Sequence, residues 1–347
     1  MNQKNSFSNG YTFNRVINGC WQLSAEHCLQ GSLDFDDAMK AFHMLVERGY
    51  TTFDCADIYT GVEEFIGKFV LELMKSNSYT HDSIQIHTKY VPDLKDLAHV
   101  DFQYTEKVID RSLERMHRDC LDLVQFHWWD WEVPGYMETI DDLYKLQKKG
   151  KIRNIGMCNF DTAHLKEVVD AGFHPVSNQT QYSVFDRRPE KQLIQYSQAN
   201  NIQSFCYGTL SGGFLSEKWI GKEFNPENRS LVKYQQVIED TLGWDGFQKV
   251  LLLLDEIGKK HNVSISNVAT KYILTRPSVG ACMVGVRNSR HVQSNLKIFE
   301  FDLDNEDIAR IQNFLKDYPN LEGDPFELER APGKYKNIMK MNLGKNE

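Results

Sequence analysis

Residues 51–60 read TTFDCADIYT. Thr51, Thr52 and Phe53 are β-branched or aromatic and favour an extended strand, and the acidic pair Asp54 and Asp57 ends the apolar run. A carboxylate at the end of a buried strand is costly unless a cation pairs with it, so Asp54 calls for a lysine or arginine from elsewhere in the chain. Tyr59 follows five residues after Asp54, close enough to share a pocket with it. An Asp and a Tyr at one strand mouth suggest a phenol working as an acid, with a charge network behind it.

Outward from this stretch the chain repeats one unit, a short apolar strand followed by an amphipathic helix. Strands are expected at 16–18, 51–53, 83–90, 121–127, 152–159, 176–182, 202–207 and 279–284, the first after a hairpin or lead-in. Helices are expected at 34–48, 62–74, 105–116, 137–149, 163–170 and 189–199, then at 247–260, 265–275, 290–298 and 305–317. A length of 347 residues alone suggests about two domains. Eight strands alternating with helices instead predict one closed parallel sheet, a (β/α)8 barrel forming a single domain over residues 1–320. An open doubly wound sheet would want a G-x-G-x-x-G turn, and the sequence has none. An insert at about 216–243 interrupts the pattern, and 321–347 form a basic, irregular tail, either a surface wrap or part of a substrate lid.

A net charge of −8 argues against nucleic acid or an anionic membrane as partner. No apolar run approaches the roughly 20 residues that span a bilayer, and the polar residues 1–14 do not resemble a signal peptide. Cys20, Cys28, Cys55, Cys120, Cys158, Cys206 and Cys282 are scattered singly, without metal-ligand spacing, which suggests reduced thiols in a cytoplasmic protein. The N-x-S/T matches at Asn178, Asn228 and Asn262 then read as chance.

In a barrel of this kind the chemistry sits at the C-terminal ends of the strands. Those ends carry Asp54 and Tyr59 after strand two, His87 to Lys89 on strand three, His127 after strand four and Cys158-Asn159 after strand five. Strand six carries Gln179, strand seven ends Tyr207-Gly208, and strand eight runs into Gly285-Val286-Arg287. A tyrosine with an ordinary pKa near ~10 is a poor acid at neutral pH, and an adjacent Lys89 should lower that value. Asp54 would hold Lys89, and His127 would orient a carbonyl oxygen opposite Tyr59. His127 alone would read as a core histidine; with three partners at neighbouring strand ends it reads as catalytic. This set has an acid and an oxyanion site but no electron source, so a bound cofactor is required.

Asp54, Tyr59, Lys89 and His127 resemble, in identity and order, the catalytic tetrad of the aldo-keto reductase superfamily. Residues 150–159, GKIRNIGMCN, are similar to its fifth-strand signature GKxRxIGxSN. The resemblance covers roughly residues 14–316 and implies an NAD(P)H-dependent oxidoreductase interconverting an aldehyde or ketone and the alcohol. It implies that Asn159 and Gln179 bind the nicotinamide carboxamide, beside Cys158, and that Tyr207 stacks on the ring. It also implies that Gly208, Leu210 and Gly212 lie along the pyrophosphate, with the glycines admitting backbone N–H groups, and that Gly285, Arg287, His291 and Asn295 hold the adenosine half. Asp54 and Trp21 fall at the nicotinamide end, and Trp21, Tyr59 and Trp128 are the candidate substrate contacts.

Two departures bear on the cofactor. Cys158 replaces the serine usual beside that asparagine, and a thiol is the weaker donor. Many relatives carry a lysine at the position of Gly285 and an arginine at that of His291, both gripping a 2′-phosphate, which leaves Arg287 as the substitute cation. NADP(H) is the implied cofactor and NAD(H) the alternative. Alternative functions are a nucleotide-sensing regulatory subunit, as the family's potassium-channel β-subunits are, and a phosphate-binding isomerase. His87 reads as structural or outward-facing, and Arg187 and Arg188 as surface charges. In the insert, Trp219 or Lys222 would reach the cofactor as part of a clamp.

Overall fold

The computed structural model describes residues 1–24, 33–76, 78–223 and 229–338. Cys28, Asn228 and part of the insert expected at 216–243 lie outside the described residues.

Strand β1 (Val16–Gly19) leads to helix α1 (Phe35–Glu47), β2 (Thr52–Asp54) to α2 (Val62–Met74), and β3 (Gln85–Tyr90) to α3 (Phe102–Met116). Then come β4 (Leu123–Phe126) with α4 (Tyr136–Lys148), β5 (Ile155–Cys158) with α5 (Thr162–Asp170), and β6 (Ser177–Gln181) with α6 (Leu193–Ala199). After β7 (Gln203–Tyr207) the chain forms α7 (Arg229–Thr241), α8 (Gly243–His261) and α9 (Ile265–Leu274). β8 (Val279–Gly285) is followed by α10 (Val292–Leu296), α11 (Asn305–Leu315) and the short α12 (Glu327–Arg330) and α13 (Lys334–Ile338). The strands close in order into one parallel barrel, β8 pairing β1 with Cys282 opposite Val16. The predicted (β/α)8 architecture is the one observed.

Local chemistry sets the element ends. Asp34, Asp101, Asp161 and Asp304 each accept a hydrogen bond from the backbone three residues on, which starts α1, α3, α5 and α11. The sixth predicted helix is shorter than expected because Pro189 sits in a separate 3-10 turn, Arg188–Glu190, before α6. The insert is more ordered than expected, since α7 fills most of its second half.

The strand that carries Asp54 is only three residues long, yet it is held from several sides. The Asn14 side chain accepts from the backbone N–H groups of Thr51 and Thr52 at 2.7 and 3.1 Å. On its outer face Phe53 meets Phe42 of α1 and Phe69 of α2, with ring centroids 4.5 and 5.5 Å away. Each fully buried phenylalanine contributes roughly 1.5–3 kcal/mol, enough to fix the strand.

The floor of the barrel is plugged. Strands Lys4–Ser6 and Thr12–Asn14 form an antiparallel hairpin across the strand starts. Phe7 and Phe13 from it pack with Ile17, Leu123, Phe205, Ala281 and Met283 inside the barrel. His87 belongs to this floor: it stacks on Phe205 at 5.7 Å, and its Nε2 is 3.1 Å from the Tyr11 hydroxyl. It is therefore structural and inward-facing. Any chemistry is left to the opposite end.

Candidate active site

Side chains of alternating strand residues point into the barrel, so His87 and Lys89 share the inner face, as do Leu123, Gln125 and His127. Lys89 Nζ lies 2.6 Å from Asp54 Oδ2, donates to the Cys55 carbonyl at 2.9 Å, and sits 4.9 Å from the centroid of the Tyr59 ring. The other Asp54 oxygen accepts from Gln125 at 3.0 Å and Gln179 at 2.7 Å. Gln179 Nε2 also donates to Gln125 Oε1 at 2.9 Å, so its amide nitrogen is committed to the circuit. Asp54, Tyr59, Lys89 and His127 are all less than a tenth exposed. The cation that Asp54 demanded is Lys89.

Burial works against the Lys89 ammonium, but Asp54 and Tyr59 outweigh it and raise its pKa. Tyr59 departs from the sequence expectation. Burial pushes its phenol up, Lys89 pulls it back, and the net shift is upward because desolvation is the larger effect. At neutral pH Tyr59 is therefore a proton carrier, a donor held against a cation. Trp21 meets it edge-on, with centroids 4.8 Å apart.

His127 is clamped by its neighbours. Its Nδ1 is 3.0 Å from the Cys158 carbonyl, while Trp129 and Phe326 meet its ring edge-on at 4.6 and 5.2 Å. Burial first, then the Arg330 guanidinium, depress its pKa to about 3. Trp128, the favoured substrate wall in the sequence, is corrected here: it is fully buried, donates to the Val133 carbonyl at 3.0 Å and packs under Gly135. Continuing the parity of the strand turns residue 128 outward and residue 129 inward, so Trp129 is the indole beside His127. The same parity, readable in the sequence, also marks Gln125.

At the end of β5 Cys158 is buried, and desolvation lifts its thiol to about 12, so it is an inert protonated side chain. Asn159 sits in the left-handed region at φ 58°, and its Oδ1 accepts from the Tyr207 hydroxyl at 2.8 Å. After β7, the room beside Gly208 and Gly212 is filled by Tyr234 of α7, which a Cβ at either glycine would meet at 2.8 Å. These glycines make room for a tyrosine ring. In the same turn, however, Thr209 Oγ1 and Ser211 Oγ are buried without a hydrogen-bond partner among the described residues. Leu210 is half-buried between them.

The cation of the insert that approaches this turn is Lys218, whose Nζ would lie 3.8 Å from a Cβ at Gly213. Lys222 is exposed, and Trp219 turns its indole N–H to the Gly213 carbonyl at 3.1 Å. Beyond β8, Asp37 of α1 accepts from the Ser289 backbone and hydroxyl at 3.2 and 2.5 Å, which fixes the loop bearing Arg287. Gly285 and His291 are exposed there, and Arg287 and Asn295 are half-buried.

The tail returns over the strand mouth. Arg330 donates to the carbonyls of Trp128, Trp129 and Asn159 at 2.7, 3.3 and 2.9 Å, and lies 4.3 Å from the Trp131 ring. Glu329 is fully buried between Arg188 at 3.2 Å and Lys233 at 2.9 Å, and Arg188 also pairs with Asp186 at 2.9 Å. Arg188 is thus an interior charge, not the surface residue expected, because the tail and α7 bury it. Nothing in the periodicity of the tail foretold this contact.

Residues 15–316 match the sequence profile of a family described as Aldo/keto reductase family. The chain is 26% identical over 314 residues to Aldo-keto reductase YhdN of Bacillus subtilis (strain 168), covering 88% of this chain and 91% of that protein. It is 27% identical over 286 residues to Glyoxal reductase of the same organism, covering 81% and 85% respectively. A crystal structure of an aldo/keto reductase from Klebsiella pneumoniae in complex with NADP and acetate superposes with a TM-score of 0.68 at 18% identity, covering 93% of this chain and 98% of that one.

Proposed function

The chain belongs to the aldo/keto reductase family, and from that premise we propose that it interconverts a small aldehyde or ketone and the alcohol, with Tyr59 as the acid. The family makes it an oxidoreductase using a nicotinamide nucleotide, which when bound supplies or accepts the hydride. The observation that carries the Tyr59 assignment is the closed circuit of Tyr59, Lys89, Asp54, Gln125 and Gln179, which ends in a phenol kept protonated at neutral pH.

The residues present fit the nucleotide. Two buried hydroxyls after β7, Thr209 and Ser211, lack partners among the described residues and suit phosphate oxygens, with Lys218 as a nearby cation. Asn159, Gln179 and Tyr207 would hold the nicotinamide end. Arg287 would favour a 2′-phosphate, and NADP(H) is the cofactor we infer, as in the Klebsiella structure. Trp21 and Trp129 would wall the substrate, and residues 321–338 would act as its lid. The free cysteines among the described residues fit a cytoplasmic setting.

The role of the chain's own groups follows from their geometry. Lys89 and Asp54 hold the phenol in place, and Lys89 stabilises the negative charge that develops as Tyr59 gives up its proton to the substrate oxygen. Burial keeps water from competing for that proton. Substituting Tyr59→Phe should lower carbonyl reduction by roughly 10²–10⁴-fold while NADPH still quenches tryptophan fluorescence. Retained turnover in that variant would remove Tyr59 as the acid. Tighter quenching by NADPH than by NADH, lost in Arg287→Ala, would support the cofactor assignment.

A further inference from the structure

Arg330 is a cation whose three guanidinium nitrogens all donate to backbone carbonyls. Nη2, Nε and Nη1 reach the oxygens of Trp128, Trp129 and Asn159 at 2.7, 3.3 and 2.9 Å. The first two carbonyls follow His127 beyond the end of β4, and the third lies just beyond the end of β5. Ladder pairing stops at these points, so the backbone there needs other partners to keep one shape. Asn159 adds strain of its own, because its φ of 58° lies in the left-handed region. The rings of Trp131 and Phe326, 4.3 and 4.9 Å from the guanidinium carbon, hold the fork in place. A guanidinium presents its donors in a rigid plane and can span carbonyls from two strands. A lysine ammonium is a compact point charge and cannot.

We propose that Arg330 is a positioning residue for the reaction, tying the segment after β4, which carries His127, to the segment after β5, which carries Asn159. The inference rests on the hydride-transfer reading of this site, in which His127 faces the substrate and Asn159 the nicotinamide. The tie sets those two ends at one fixed spacing. Arg330 lies beyond residues 15–316, the stretch matched to the family, so the fastening belongs to this chain's own tail. Attachment of the tail is a separate matter. The adjacent Glu329 pairs with Arg188 and Lys233, so removing Arg330 frees the two mouth segments while the tail stays docked.

The test uses Arg330→Ala with glyoxal, the substrate named for one relative, and NADPH. Misplacing a positioned group by about 1 Å costs up to ~10²-fold, so kcat should fall about 10–100-fold. Tryptophan quenching by NADPH and resistance of the tail to proteolysis should both be kept. Methylguanidinium, added well below denaturing concentrations, should refill the fork and restore turnover, whereas methylammonium should not. Arg330→Lys keeps the charge and guards against poor folding of the alanine variant; it should be equally impaired. Wild-type kcat in either variant, or an equal response to the two cations, overturns the proposal. A second readout needs no turnover. In protein labelled with 5-fluorotryptophan, the ¹⁹F signals of Trp128, Trp129 and Trp131 are identified by their loss on substitution with Phe. They should broaden or split in Arg330→Ala and sharpen with methylguanidinium; unchanged signals overturn the proposal. A wild-type protein that neither binds nucleotide nor reduces glyoxal would defeat the functional reading while leaving the ¹⁹F result intact, so the two failures are distinguishable.

Discussion

Single residues decide the electrostatics of this molecule, and Lys89 is the clearest case. Replacing Lys89 with Met strands Asp54 in a site where both partners are about 6% exposed. Losing one member of such a pair costs about 3–5 kcal/mol, so urea unfolding should show a drop of that size. The two buried histidines give a pH dependence with a fixed sign. His87 and His127 both have pKa values pressed down to about 3 by burial, below the ~6.5 of an unfolded chain. Between those values the unfolded chain binds more protons, so each histidine makes stability fall as pH falls, by about 1.4 kcal/mol per unit. His87→Gln should remove one such contribution: the difference from wild type between pH 6 and 5 should be about 1.4 kcal/mol, and identical slopes would contradict the assignment. At this scale the sequence was informative where chemistry forced a partner, as Asp54 forced Lys89. It was uninformative where two effects competed: Lys89 does pull the Tyr59 phenol down, but desolvation, invisible in a sequence, is larger.

Elements bring together what residues cannot. α7 and the tail meet the turn before α6 through Arg188, Lys233 and Glu329, and the buried Glu329 carboxylate is held at a pKa of about 2 by Lys233 and Arg188 against the cost of burial. Its contribution is complete above the ordinary glutamate value of ~4.3 and fades as pH falls towards about 2. Arg188→Met leaves Asp186 and Glu329 short of their shared cation. It should cost roughly 3–5 kcal/mol and make the chain beyond residue 320 sensitive to limited proteolysis at neutral pH. An unchanged cleavage pattern would show that other contacts hold the tail. These contacts were illegible because their partners lie far apart in the chain and follow no period. By contrast, the inward place of Gln125 was written in the alternation of β4, and carrying that alternation past Phe126 sets Trp129 inward and Trp128 outward.

The whole molecule was the most legible of the three scales. Strand–helix alternation left a closed parallel barrel as the natural solution, and closure of β8 on β1 is what the structure shows. The floor plug was less legible, because strands of three residues carry little pattern, yet it places Phe7 and Phe13 at 3% and 1% exposure. Deleting residues 1–14 should open the floor, lower stability by about 3–6 kcal/mol and raise binding of a hydrophobic dye. The roof over the opposite end has a consequence in time. A chain is synthesised from its N-terminus, so every barrel strand has been made by residue 285, well before Phe326, Glu329 and Arg330 exist. A nascent chain stalled at residue 320 should bind nucleotide at its completed strand ends yet stay nearly silent towards substrate, because His127 has not met its neighbour from the tail. Biosynthesis would then deliver a finished scaffold first and a working enzyme only afterwards.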